Sequence, residues 1–251
     1  MTWVAFGRRW LPITLMVLLG ALLCVRLGIW QLDRLAQRRQ ANARIVEIQL
    51  LPAVQLPSEE HLAEQEFRAV LAQGTYDFVH QVALRNQFHN GEYGFHILTP
   101  LLLDGVQGEA TGGAILVDRG WIPAGGNERP DDWGKYDVPG VVRVTGVVRR
   151  GAQLRTPGAA GALVGTSLGS ADRFALVVDT AEIGLRMGYD LPPYYLQAGG
   201  GNPETLPAVE VVSLDLTEGP HLGYAIQWFF FSIILLAGYA RYVQRQEQAN
   251  P

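Results

Sequence analysis

Cysteine is almost missing from this chain: Cys24 stands alone among 251 residues. No intrachain disulfide and no cysteine-based metal cluster can therefore form. Excess positive charge is missing too. The formal net charge is −4, and phosphate binding needs clustered cations, so no nucleic-acid partner is expected. The chain has no phosphate-cradling G-x-x-x-x-G-K and no H-E-x-x-H. Asp131-Asp132, beside Pro130 and Trp133, reads as a loop rather than an acid/base pair. His61, His80, His89 and His96 are scattered. His89 and His96 flank a hairpin turn, but a metal site there would lack a third ligand. With no nucleophile–base pair and no complete metal site, no enzymatic activity is expected.

Charged side chains are also missing from Leu222 to Ala240. A helix rising about 1.5 Å per residue needs roughly 20 residues to cross a hydrocarbon core. This run is therefore expected to span a membrane, with Tyr239, Tyr242, Arg241 and Arg245 at its far interface. A second apolar run, Trp10 to Leu32, is interrupted by Arg26, whose stem can snorkel toward the interface near Trp30. A cleaved signal peptide competes for this run because Arg8 and Arg9 precede it. No A-x-A-like site follows, which favours an uncleaved anchor. Bulky Leu23 before Cys24 argues against a lipoprotein site. Arg8 and Arg9 match Arg241 and Arg245 at the corresponding helix ends. Arg34, Arg38 and Arg39 carry less weight, because long domains translocate largely regardless of charge. Both termini are expected in the cytoplasm and the middle outside. The start of the chain lacks a long Arg- and Ser-rich leader, which favours a bacterial plasma membrane over a mitochondrial inner membrane.

The expected organisation is a cytoplasmic N-terminus (1–10), a first span (11–32), a helical extension (33–51), an extracytoplasmic domain (52–220), a second span (221–240) and a cytoplasmic tail (241–251). The extension keeps a helical pattern through Leu32, Leu35, Ile45 and Ile48 and ends before Pro52. Beyond it the pattern turns to short β-rich runs between turn residues. Expected strands are Phe67 to Tyr76, Gln81 to Asn86, Tyr93 to Leu103, Ala114 to Asp118, Val141 to Arg149, Phe174 to Asp179 and Val209 to Leu214. Asn90-Gly91 has the residues of a hairpin turn. Pro157 to Gly169 and Tyr189 to Pro207 read as irregular. The fold class expected is a membrane protein, two transmembrane α-helices bracketing a mainly antiparallel β domain, sandwich-like or barrel-like.

Two places carry candidate chemistry. His221, Tyr224 and Trp228 are spaced by three and four residues and fall on one helical stripe. That stripe reads either as an interfacial anchor or as a ligand site, since neutral imidazole is a normal haem ligand. Aromatic neighbours would cover a flat macrocycle. Leu116 to Pro123, within the β domain, reads either as a structural corner or as a docking face. In the first, Asp118 pairs with Arg119 and Trp121 plugs the domain; in the second, Arg119 and Trp121 meet a partner.

Four pieces in order resemble the surfeit locus protein 1 family of cytochrome c oxidase assembly factors. They are Leu27-Gly28-Ile29-Trp30-Gln31-Leu32-Asp33-Arg34, Gly94 with Thr99-Pro100-Leu101, Leu116 to Pro123, and His221 to Trp228. The resemblance implies a part in maturing haem–copper oxidase near the step where haem a enters subunit I. It also implies membrane lipid as surroundings, with subunit I and haem a synthase as partners. A histidine of the second helix is implicated in haem a binding in bacterial relatives, and His221 matches it as the iron ligand. Tyr224, Trp228 and Trp30 would then line the haem, while Arg26 or Arg34 would pair with its propionates. The alternative is a haem-independent scaffold that steadies an oxidase assembly intermediate through Arg119 and Trp121.

Overall fold

A computed structural model describes residues 10–57, 61–104, 113–152, 173–200, 205–209, 214 and 216–249. The chain divides into two compact units, Met1–Arg44 with Asp215–Pro251, and Ile45–Leu214.

The first unit is built on α1 (Leu11–Leu50) and the helix that closes the chain, α3 (His221–Ala249). Both are long and apolar enough to cross a membrane, and only 11% of each apolar stretch is buried. The core helix of a soluble protein would be mostly covered, so the two helices give the chain the architecture of a two-span membrane protein. At 40 residues, α1 is about 60 Å long, roughly twice the thickness of a hydrocarbon core. It leaves the apolar zone without a break, as the helical pattern of residues 33–51 predicts.

The second unit is a sheet of eight strands: β1 (Val54–Gln55), β2 (Ala69–Tyr76), β3 (Val82–His89), β4 (Glu92–Leu103), β5 (Ala114–Pro123), β6 (Val141–Arg150), β7 (Phe174–Ala175) and β8 (Tyr194–Ala198). Neighbouring strands follow the order β2-β6-β8-β5-β4, and β4 pairs back onto β2. These five strands therefore close into a barrel, the arrangement that leaves no exposed sheet edge among them. Alternation along the strands fills the interior. Val70, Ala72, Leu101, Ile115, Val117, Val144, Val148 and Leu196 make one apolar cluster.

A short helix, α2 (Thr180–Met187), covers part of the outside. Asp179 accepts a hydrogen bond from the Glu182 amide at 3.2 Å at its start, and Gly188 ends it in the left-handed region. Ile183 and Met187 pack on Leu98, Leu116 and Val82. Asn90 and Gly91 turn the β3–β4 hairpin with φ of 50° and 83°, as the sequence predicts.

Several expectations are corrected. The sheet is mainly antiparallel but mixed: β1 with β2, β3 with β7 and β5 with β8 run parallel. Phe174 to Asp179 yields only two strand residues before α2 begins. Tyr189 to Pro207, expected irregular, contains β8, wedged between β6 and β5. Asp131-Asp132 belong to a 3-10 helix, Pro130–Tyr136, anchored by fully buried Trp133. Of the strand expected at Val209 to Leu214, neither terminal residue is in a strand, and residues 210–213 lie outside the described residues. Ala208 instead bridges to Trp121. Pro157 to Gly169 also lies outside the described residues.

Candidate functional site

The site is built where the two long helices pack antiparallel. Trp10 meets the Tyr242 ring edge-on at 5.8 Å, and the Thr14 and Tyr239 hydroxyls are hydrogen-bonded. The Ser232 hydroxyl donates to the Ala21 carbonyl at 3.2 Å. A Cβ on Gly28 would lie 2.6 Å from the Phe229 ring, so the bare backbone is what admits that ring. The α1 contact residues Thr14, Ala21 and Gly28, followed by buried Leu35, repeat every seven positions. That is the period of a left-handed helix pair.

Continuing up this seam, Gln31 meets His221. The His221 Nδ1 and the Gln31 Oε1 are 2.9 Å apart. A carbonyl oxygen only accepts, so Nδ1 donates in this contact, and in the neutral ring the lone pair then falls on Nε2. Gly219, at φ 70°, lies beside that edge. A Cβ there would sit 3.5 Å from Cδ2 and 3.6 Å from Nε2 of His221. Those distances are ordinary van der Waals contact; the positive φ is what favours glycine at this position. The segment ahead of α3 is strapped to α1. Arg39 makes two 2.8 Å hydrogen bonds to the Glu218 carboxylate, Arg38 Nε donates to the Thr217 carbonyl at 3.1 Å, and Asn42 Nδ2 donates to the Leu216 carbonyl at 2.6 Å. The Glu218 pairing holds its carboxyl below the usual range and raises Arg39. Arg38 and Arg39, which the sequence suggested only as flanking charge, have this structural task.

The other sequence candidates are spread around this point. Trp30 is exposed and lines a cleft of about 320 Å³ with Arg26 and Leu27. The Arg34 guanidinium lies 5.6 Å over the Trp30 ring and donates to Gln37 at 3.0 Å. The ring and hydrogen-bond contacts of Trp30 and Arg34 are thus made within α1, while His221 takes Gln31. On α3, Tyr224 is 49% exposed and Trp228 packs edge-on against Phe231 at 5.9 Å. The predicted stripe therefore holds one residue in the seam, one facing out and one on its own helix. Gln31 belongs to a recognised sequence piece, but its task was not legible. The seven-residue period of α1, which points Gln31 at the partner helix, is the signal that could have exposed it.

The second candidate, at β5, is internal. Asp118 and Arg119 are adjacent on a strand, so they point to opposite faces and do not pair. Asp118 binds His96 Nδ1 at 2.8 Å and accepts from the Gly120 amide at 3.0 Å. The Arg119 guanidinium lies against both the Tyr76 and the Phe78 ring, at 5.1 and 5.2 Å from their centroids, and the two rings touch each other at 5.8 Å. It donates to Gln81 at 3.3 Å and to the Tyr136 carbonyl, with Asp137 at 3.7 Å. Burial lowers its pKa, while Tyr76 and Asp137 raise it. Trp121 is 3% exposed, lies under the His89 ring and exchanges two backbone hydrogen bonds with Ala208. Gly120, at φ 118°, is required here, since a Cβ would fall 2.5 Å from the Ala208 carbonyl oxygen. Arg119 and Trp121 therefore spend their side chains on the inside of the domain. His96 and His89 do not converge on a metal: among the described residues no group of three or more candidate ligands forms.

The family model of the SURF1 family matches residues 18–233. The chain belongs to the SURF1 family. The matched stretch begins inside α1 and ends inside α3, so it includes both the β domain and the Gln31–His221 pair. Uncharacterized SURF1-like proteins of Mycobacterium bovis and Mycobacterium tuberculosis are each 29% identical to it over 254 residues, covering 96% of this chain and 88% of the relative. Membership thus extends over the whole two-helix, one-barrel plan rather than over one motif.

Proposed function

We propose that this SURF1-family chain is an assembly factor for haem–copper cytochrome c oxidase, one that binds haem a through His221 and aids its insertion into subunit I. Family membership supports the oxidase connection. The observation that carries the haem reading is the hydrogen bond from His221 Nδ1 to Gln31, which in the neutral ring leaves the Nε2 lone pair for a ligand. Histidine nitrogen is a normal axial ligand of haem iron, so the residues present fit this cargo. Arg26 and Arg34, with Trp30 between them, supply cations for the propionates and an aromatic face. Tyr224 and Trp228 lie along the same stretch of α3. Subunit I and haem a synthase are the partners, in a bacterial plasma membrane, with both termini cytoplasmic and the β domain outside.

The test is expression with haem a biosynthesis, purification and absorption spectroscopy. The wild-type chain is expected to carry haem a, and His221→Ala to lose most of its characteristic spectrum. An unchanged spectrum in the variant would remove His221 as ligand. Co-purification with subunit I from a haem-depleted host, with no haem uptake by the purified chain, would favour a scaffold.

A further inference from the structure

We infer that Gln31 is a positioning residue that holds His221 in one tautomer and, on the haem-carrier reading above, sets how readily the cargo leaves. Its amide oxygen lies 2.9 Å from Nδ1, and the two residues come from different helices. The ring is held from both sides of the chain. The strap at residues 216–218 binds Arg38, Arg39 and Asn42, while the Pro220 carbonyl accepts from the Tyr224 amide at 3.1 Å to begin the helix. These α1 residues belong to the stretch just beyond Gln31. One helix therefore fixes both the backbone that carries His221 and the orientation of its ring.

The chemical nature of the acceptor matters. A carboxylate behind a ligating histidine pulls on the Nδ1 proton and makes Nε2 a stronger donor to metal; a neutral amide fixes orientation while pulling less. A carrier must give up what it binds. Glutamine supplies direction without the added basicity, and glutamate is the nearly isosteric residue that would supply both.

The experiment uses the full-length protein in detergent with ¹⁵N-labelled histidine. Without haem, the wild-type His221 ring is expected to show protonated Nδ1 and bare Nε2. Gln31→Leu should give mixed tautomers, and Gln31→Glu should retain the wild-type pattern. Loss of haem a to excess apomyoglobin is then followed by stopped flow. Second-shell changes typically alter metal affinity about 10–100-fold; release is expected to slow by at least about tenfold in Gln31→Glu and to quicken in Gln31→Leu. An unchanged tautomer in Gln31→Leu, or wild-type release rates in both variants, overturns the inference. If Gln31→Leu does not fold, the direction of change in Gln31→Glu decides alone. If the wild-type chain takes up no haem, the carrier reading falls and the release claim with it, while the tautomer measurement still decides the positioning role.

Discussion

Arg119 shows how a residue picked out for its charge can serve the inside of a fold. Its guanidinium lies against two aromatic rings and bonds a carbonyl and an amide oxygen. Lysine has one compact ammonium and no planar fork, so it cannot reproduce both the stacking and the branched bonding. Arg119→Lys is expected to destabilise the β domain by about 1–3 kcal/mol through acceptors left unmatched. Denaturant unfolding monitored by tryptophan fluorescence checks this, and a wild-type midpoint would refute it. In the sequence, Leu116 to Pro123 stood out by composition, but which face each side chain takes depends on the β5 register, which composition does not carry.

At the scale of elements, the helix pair and α2 give contrasting tests. The α1–α3 seam relies on close approach at Gly28, where the Phe229 ring occupies the space of a Cβ. Gly28→Val should push α3 away and disturb the Gln31–His221 contact three residues further along. A disulfide-trapping or spin-label distance between the helices, measured in membranes, should lengthen; an unchanged distance would contradict the packing. For α2, Asp179→Ala removes the side chain that caps the first turn. The expected cost is about 1 kcal/mol, read as a lowered midpoint of thermal unfolding. This eight-residue helix begins just past the strand expected at Phe174 to Asp179 and had no counterpart in the sequence pattern. Isolated helices this short are not stable in water, and α2 owes its existence to the apolar face of Leu98, Leu116 and Val82 beneath it.

At the scale of the whole molecule, the polar group around Asp77 brings together stretches 112 residues apart in the chain. The Tyr189 hydroxyl donates to Asp77 at 2.6 Å, and Asp77 also binds His80 at 2.5 Å and the Val79 amide at 3.0 Å. Burial opposes ionisation of Asp77, but hydrogen bonds from Tyr189, His80 and Val79 outweigh it and hold the carboxyl below its usual range. Its stabilising contribution is present above the ordinary carboxylate range and lost as pH falls through the lowered value. Burial first, then the Asp77 bond and charge, push Tyr189 up to about 12; burial also raises Tyr76 to about 12. For these two groups the contribution is complete below the ordinary tyrosine value of about 10 and fades as pH rises through the raised value. Stability should therefore hold at neutral pH and fall at both extremes. Tyr189→Phe should lessen the alkaline loss and weaken the acid limb. Unfolding midpoints measured against pH will show this, and superimposable profiles would disprove it.

The sequence by itself determined the two-span plan, the helical extension of α1, the β character of the middle and the hairpin at Asn90-Gly91. Each rests on local features: uncharged runs, periodicity and turn residues that tolerate positive φ. Only the tertiary structure decided that β8 exists between β6 and β5, that five strands close into a barrel, and that Asp118 turns to His96 rather than to Arg119. These are pairings between residues far apart in the chain, and neither composition nor spacing specifies them. The same holds for His221. Its place at the head of an apolar helix was legible, but its ring is oriented by Gln31, 190 positions away, which only the packing of the two helices could reveal.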